Sequence, residues 1–202
     1  MKKFFAVILV ISTILASMYT VCYAKEFPDV DSSHWAFEYI NKLSDDGVIN
    51  GYNDGTYKPE GTVKRSEFIK LVMAAVWPVY LDLEEVPQPF DHWSAPYVGL
   101  AEIDGVLDGG EFNLENIEEP ITRIEMARII AKADMYEKGN PAEYGKKLAF
   151  LDVGNLDTYD SKLLGHAVSR GLIKGYDNGT FKPDKTMTRA EAATMIYRFT
   201  EK

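Results

Sequence analysis

Three arginines each stand two residues before a glutamate: Arg65/Glu67 in VKRSE, Arg123/Glu125 in ITRIE and Arg189/Glu191 in MTRAE. In Thr188-Arg189-Ala190-Glu191 the threonine can cap a following helix, while the glutamate reaches back to the capping residue's own amide. Arg189 then lies in the first turn, where a guanidinium beside free backbone N–H groups and the positive end of the helix dipole favours an anion. A carboxylate, held in a charge-assisted bidentate pair, is the best-matched guest. A single capping box is an ordinary helix start, and its arginine an ordinary surface charge; the repetition is what points to a site. Arg65 and Arg189 are the leading ligand-binding candidates. Arg123 is the weaker one, because Glu115, Glu118 and Glu119 crowd its approach along the chain.

The elements that position these arginines keep one register. Gly47 to Arg65, Gly105 to Arg123 and Gly171 to Arg189 are each eighteen residues, and Trp35, Trp93 and Tyr159 each precede their glycine by twelve. The chain is therefore three copies of one unit. Each copy reads as a helix closed by glycine, a turn-rich loop and a second helix, with an apolar face that must be buried against its sisters.

The N-terminus, Met1-Lys2-Lys3 followed by an apolar run that ends in Cys22-Tyr23-Ala24, reads as a secretory signal peptide over 1–24. An uncleaved anchor is the competing reading, since Phe4 to Ala24 nearly reaches spanning length. Val21 before the single cysteine argues against a lipoprotein. After cleavage no cysteine remains, so disulfides, zinc-thiolate clusters and cysteine nucleophiles are excluded. Loss of Lys2 and Lys3 leaves 20 basic against 31 acidic side chains and moves the formal charge from -9 to -11. Non-specific nucleic-acid binding, which rests on phosphate neutralisation, is excluded on that balance. An anionic ligand must be recognised by local arginines against the overall field.

Repeat one (25–78) enters at Phe27-Pro28-Asp29-Val30; Ser32 or Ser33 is expected to cap a helix carrying Trp35, Tyr39, Ile40 and Leu43. Its second helix has Lys64 where repeat three has threonine, and is expected to be weaker by about 1 kcal/mol for the lost cap. A Pro-rich linker (79–89) leads to repeat two (90–133), where Pro96 suits a first helical turn. The loop Gly109-Gly110-Glu111-Phe112-Asn113 departs from the other two. A second linker (134–149), broken at Gly139-Asn140-Pro141, precedes repeat three (150–202), and no passenger domain is expected beyond it.

The Phe-x-Asp-Val entries, the recurrent aromatic, the Gly-Tyr-x-Asp/Asn-Gly-Thr-Tyr/Phe-x-Pro loops from Gly51 and Gly175 and the Arg-x-Glu helix starts resemble surface-layer homology domains in tandem. The resemblance covers the whole chain after the leader. It implies a mainly α fold of three helix-loop-helix repeats in a pseudo-threefold bundle, a three-pronged spindle with a ligand groove between neighbouring prongs. It further implies non-covalent anchoring to a secondary cell wall polymer linked to peptidoglycan, often ending in a pyruvylated sugar. Such a protein is secreted, lies at the cell wall and needs neither a cofactor nor a membrane after leader cleavage.

The residues suit that chemistry. Trp35, Trp93 and Tyr159 can offer an amphipathic face to a sugar ring, and Gly51, Gly109 and Gly175 let a polymer approach the backbone. The two tryptophans lie on apolar helical stripes and are as readily core as platform. Asp29, Asp91 and Asp152 are candidate ligand contacts or plain turn formers. Glu67, Glu125 and Glu191 read as capping partners rather than catalysts. Two other classes fit the residues less well. A glycan hydrolase needs a distinctive carboxylate pair, and none stands outside the repeats. Calcium loops with glycine at position six would start at Asn50 and Lys174 and end on Gly61 and Lys185, neither of them an acid. A wall-associated adaptor or scaffold for another surface protein stays open as an alternative.

Overall fold

The computed structural model describes residues 26–77, 85–139 and 148–201. The leader reading for 1–24 falls outside them, as do 79–84 and 140–147 of the two linkers. The described residues are mainly helical, with helices α1 (Phe37–Asp45), α2 (Arg65–Val76), α3 (Ala95–Ile103), α4 (Arg123–Lys138), α5 (Thr158–Ser169) and α6 (Arg189–Thr200).

Local chemistry explains most boundaries. Thr122 and Thr188 cap α4 and α6 by accepting from the amides of Glu125 and Glu191, whose carboxylates return to the amides of the two threonines. At α2 half of that box is missing, because the Lys64 ammonium has no lone pair to accept with; only Glu67 Oε2 on the Lys64 amide (3.0 Å) remains. Lys64→Thr is expected to stabilise the protein by about 1 kcal/mol, read as a higher urea midpoint at unchanged slope. Gly47, Gly105 and Gly171, each left-handed (φ 74°, 68° and 67°), follow the short helices and turn the chain out of them.

Two element boundaries differ from expectation. The leading helix begins at Phe37 with no side-chain cap: Ser33 donates its amide to Asp31, His34 Nδ1 accepts from Ala36, and Trp35 sits in the turn before the helix. Helix α4 runs through Lys138, so residues 134–138 are its last turn and not linker.

The packing interlocks the repeats. Helices α2, α4 and α6 touch one another at the centre; α3 packs on α2, α5 on α4, and α1 on α6. Each prong thus pairs the long helix of one repeat with the short helix of the next, closing cyclically, and the two helices of one repeat do not pack side by side. Ile40, Leu43, Phe68, Val72, Met126, Ile130, Leu164 and Ile196 from all three repeats share one core.

At the helix N-termini the symmetry is closed by backbone. Val63 donates to Met187 (3.0 Å), Met187 to Ile121 (3.3 Å) and Ile121 to Val63 (3.1 Å), a triangle of three hydrogen bonds with buried side chains beneath it. One repeat alone would leave these groups unpaired, so the architecture needs all three.

Candidate ligand grooves

The ring places each arginine in a neighbour's territory. The amide of Arg189 donates to the Gly61 carbonyl (2.8 Å), that of Arg65 to Glu119 (3.0 Å) and that of Arg123 to Lys185 (2.9 Å). The next amides, of Ala190, Ser66 and Ile124, donate to Pro59, Ile117 and Pro183. First-turn N–H groups expected to face an anion are therefore spent on backbone carbonyls, which leaves side-chain cations as the groups open to one.

Two grooves follow the same plan. In the first, Arg189 of repeat three lies over Tyr52 and Tyr57 of repeat one (4.6 and 4.7 Å to the ring centres) and donates Nε to the Tyr57 carbonyl (2.8 Å). Gly51 and Lys70 of repeat one and Trp93 of repeat two complete a space of about 180 Å³. In the second, Arg123 of repeat two lies over Tyr176 and Phe181 of repeat three (4.8 and 4.7 Å) and donates Nε to the Phe181 carbonyl (2.7 Å). Gly175 and Arg198 of repeat three and Trp35 of repeat one complete a space of about 260 Å³. All three repeats contribute to each groove.

Trp35 and Trp93 are 56% and 52% exposed, which removes them from the core and leaves them at the groove rims. Arg123 is 94% buried and, among the described residues, its guanidinium hydrogen-bonds oxygen only at main-chain carbonyls, those of Phe181 and Lys174. Burial pushes its guanidinium below the usual arginine range, and the nearby Arg198 charge acts the same way. A buried cation without a contacting carboxylate is an incomplete ion pair.

The third position is built differently. Arg65 of repeat one donates to Glu125 Oε1 from Nε (3.1 Å) and Nη2 (2.7 Å), and from Nη1 to Glu119 (2.6 Å) and the Asn116 carbonyl (2.9 Å). Tyr159, the aromatic of repeat three, hydrogen-bonds Asp108 (2.8 Å), and burial followed by that contact pushes its phenol up. The acidic residues of repeat two, expected to crowd Arg123, thus face Arg65: Glu119 meets Arg65, and Glu118 meets Lys64 (2.6 Å) and Ser66 (2.6 Å). Interlocking moves them one repeat along, which linear spacing does not reveal.

Asp29 and Asp152 are loop clamps. Asp29 accepts the amides of Tyr57 and Lys58 (2.8 and 2.7 Å), and Asp152 those of Phe181 and Lys182 (both 2.7 Å). They hold Lys58 and Lys182 in the left-handed region (φ 58° for both), where a side chain is strained. Asp91 is exposed and provides no such clamp. At Gly51 and Gly175 an added Cβ would strike the rings of Phe27 and Phe150, so these glycines serve packing, whereas one at Gly109 would meet nothing.

Tyr52, Tyr176, Lys70 and Arg198 line the grooves and are not among the candidates named from the sequence. Only the two tyrosines carried a signal, as second residues of the Gly-Tyr loops. No metal-ligating cluster of three or more acidic, histidine or cysteine side chains occurs among the described residues, and no described helix is long and apolar enough to cross a membrane.

Comparison with known proteins places the chain among surface-layer sequences. The chain is 30% identical over 178 residues to an S-layer protein of Bacillus thuringiensis subsp. finitimus and, likewise, to S-layer protein sap of Bacillus anthracis, covering 85% of this chain and 21% of each relative. It is 28% identical over 186 residues to an amylopullulanase of Thermoanaerobacterium thermosulfurigenes, covering 89% of this chain and 10% of that enzyme. The chain thus spans about a fifth of the S-layer relatives' length and less of the enzyme's. The family model of the S-layer homology domain matches residues 26–69 and 149–193, the first and third repeats. Residues 26–69 and 149–193 thus match S-layer homology domains, and the chain is similar over most of its length to a segment of S-layer proteins, which indicates a cell-surface or cell-wall location.

Proposed function

We propose that all three repeats, including the divergent second, form one non-enzymatic module that binds the acidic end of a secondary cell wall polymer, a pyruvylated glycan linked to peptidoglycan. One observation carries the reading: a buried arginine stacked on aromatic rings at the floor of a groove, with an exposed tryptophan at its rim. The guanidinium supplies two parallel donors for a carboxylate, and the indole supplies a face for the attached sugar ring. The acids beside the grooves are committed elsewhere. Burial works to raise Glu191, yet hydrogen bonds from Lys185 and the Thr188 amide hold its carboxyl below the usual range. A carboxylate held ionised in that way does not serve as a general acid for glycoside cleavage.

Co-sedimentation of the protein with purified walls, before and after chemical removal of the secondary polymer, tests this. Arg189→Ala is expected to bind polymer-bearing walls about tenfold more weakly than wild type, for the loss of one charge-assisted pair. Wild-type protein left in the supernatant with polymer-bearing walls would sink the proposal. Undiminished binding to stripped walls would move the ligand to peptidoglycan itself.

A further inference from the structure

One position differs in charge among the three grooves and is otherwise equivalent. It is the residue whose carbonyl accepts the groove arginine's amide: Gly61 for Arg189, Glu119 for Arg65 and Lys185 for Arg123. Because the shared contact is main-chain, the side chain at this position is free to vary without altering the fold.

The glutamate of the Arg-x-Glu start facing each arginine responds in step. In the Arg123 groove, Lys185 Nζ takes Glu191 Oε1 (2.7 Å), and Arg123 meets no carboxylate. In the Arg189 groove, where Gly61 has no side chain, Glu67 Oε1 stands 3.5 Å from Nη1, a loose pair. In the Arg65 groove, Glu119 (2.6 Å) adds to Glu125 (2.7 Å), and two carboxylates fill the fork that a ligand would use.

The flanking cations repeat the pattern. Arg198 in the Arg123 groove and Lys70 in the Arg189 groove meet no carboxylate among the described residues. Beside Arg65 the residues at the corresponding helix positions are already neutralised, Arg128 by Glu111 and Asp160, and Lys132 by Asp108 (2.8 Å).

We infer that this position sets each groove's anion affinity, so that a carboxylate-bearing sugar fills the Arg123 groove first, the Arg189 groove second and the Arg65 groove not at all. The inference rests on the acidic-glycan reading above. A positive side chain draws the internal carboxylate off the arginine, a missing one leaves it half engaged, and a negative one supplies a second internal substitute for the ligand.

The test is titration with a methyl hexoside bearing a pyruvate ketal, followed through the arginine Nε–H signals in NMR spectra of the full chain. In wild type the Arg123 signal should respond at the lowest concentration, then Arg189, with Arg65 unmoved. Glu119→Lys should bring Arg65 into response, and Lys185→Glu should weaken the Arg123 response roughly tenfold, the scale of one exposed charge contact. Lys185→Gly, which copies the natural residue of the Arg189 groove, should leave Arg123 with the affinity of Arg189 and guards against misfolding of the glutamate variant. An Arg65 response in wild type equal to that of Arg123, or an order unchanged by the substitutions, overturns the inference while leaving glycan binding intact. No response from any arginine overturns the glycan reading and this inference together.

Discussion

Asp134→Ala is expected to cost the protein about 3 kcal/mol, because it removes a buried carboxylate that a buried imidazole and a half-buried guanidinium share. Asp134 is fully buried in the last turns of α4, where Oδ2 accepts from His166 Nε2 (2.8 Å) and Arg170 Nε (2.9 Å) and Oδ1 accepts from Arg170 Nη2 (3.2 Å). Truncation would leave the 99% buried imidazole of His166 without this acceptor and remove the Asp134 contacts of Arg170, at the interface that joins repeat two to repeat three. His166 Nδ1 is already buried without a hydrogen-bond partner among the described residues, so they give the ring no second bond to fall back on. Equilibrium urea unfolding of wild type and variant, with slopes compared to verify a two-state transition, measures the loss.

The same group makes a pH prediction. Burial works to raise Asp134, but hydrogen bonds and charge from Arg170 and His166 outweigh it and hold the carboxyl below its ordinary value. A depressed folded-state pKa means more protons bound in the unfolded chain, so this contribution is complete above the unfolded carboxyl value, about 3.9, and is lost as pH falls through the folded one. Wild type should therefore shed stability in acid more steeply than Asp134→Ala. Parallel acid profiles for the two proteins would contradict the assignment.

Gly51→Ala is expected to cost about 3 kcal/mol, from two sources. Gly51 has φ 66°, which a side chain disfavours by about 1–2 kcal/mol. Its added methyl would also strike the Phe27 ring and lie 2.7 Å from the Thr56 carbonyl oxygen, an overpacking worth about 1–3 kcal/mol more. Gly109→Ala is the internal control: it has no neighbour within 4 Å and should stay within about 0.5 kcal/mol of wild type. Equal losses at the two positions would show that the loops share a constraint other than packing on Phe27. Because Gly51 lines the Arg189 groove, its substitution should also weaken the Arg189 response to ligand more than that of Arg123.

How far the sequence carries can be read from particular residues. The Thr188 cap, the terminating glycines and the apolar faces of the repeats were legible because each depends on contacts within a turn or two of helix. Trp35 was misplaced on a helical stripe because nothing in the sequence marks where α1 starts: its cap is Ala36, and His34 and Asp31 satisfy the preceding turn instead. The roles of Asp29 and Asp152 were equally hidden. A carboxylate that accepts two amides 28 to 30 residues away looks like any turn former until the loop is folded back on it.

The sequence by itself determined that this protein is three tandem helical units carrying an arginine at each second helix start, since capping, glycine termination and spacing are local and leave their mark in residue order. Only the tertiary structure decided which side chain faces which arginine. The backbone triangle through Val63, Ile121 and Met187 hands each arginine to the following repeat's loop, in cyclic order, so the acids written next to Arg123 close on Arg65, while Lys185, written next to Arg189, draws Glu191 away from Arg123. Charge acts over a few ångströms of space, and in an interlocked ring those neighbours are more than fifty residues apart in the chain.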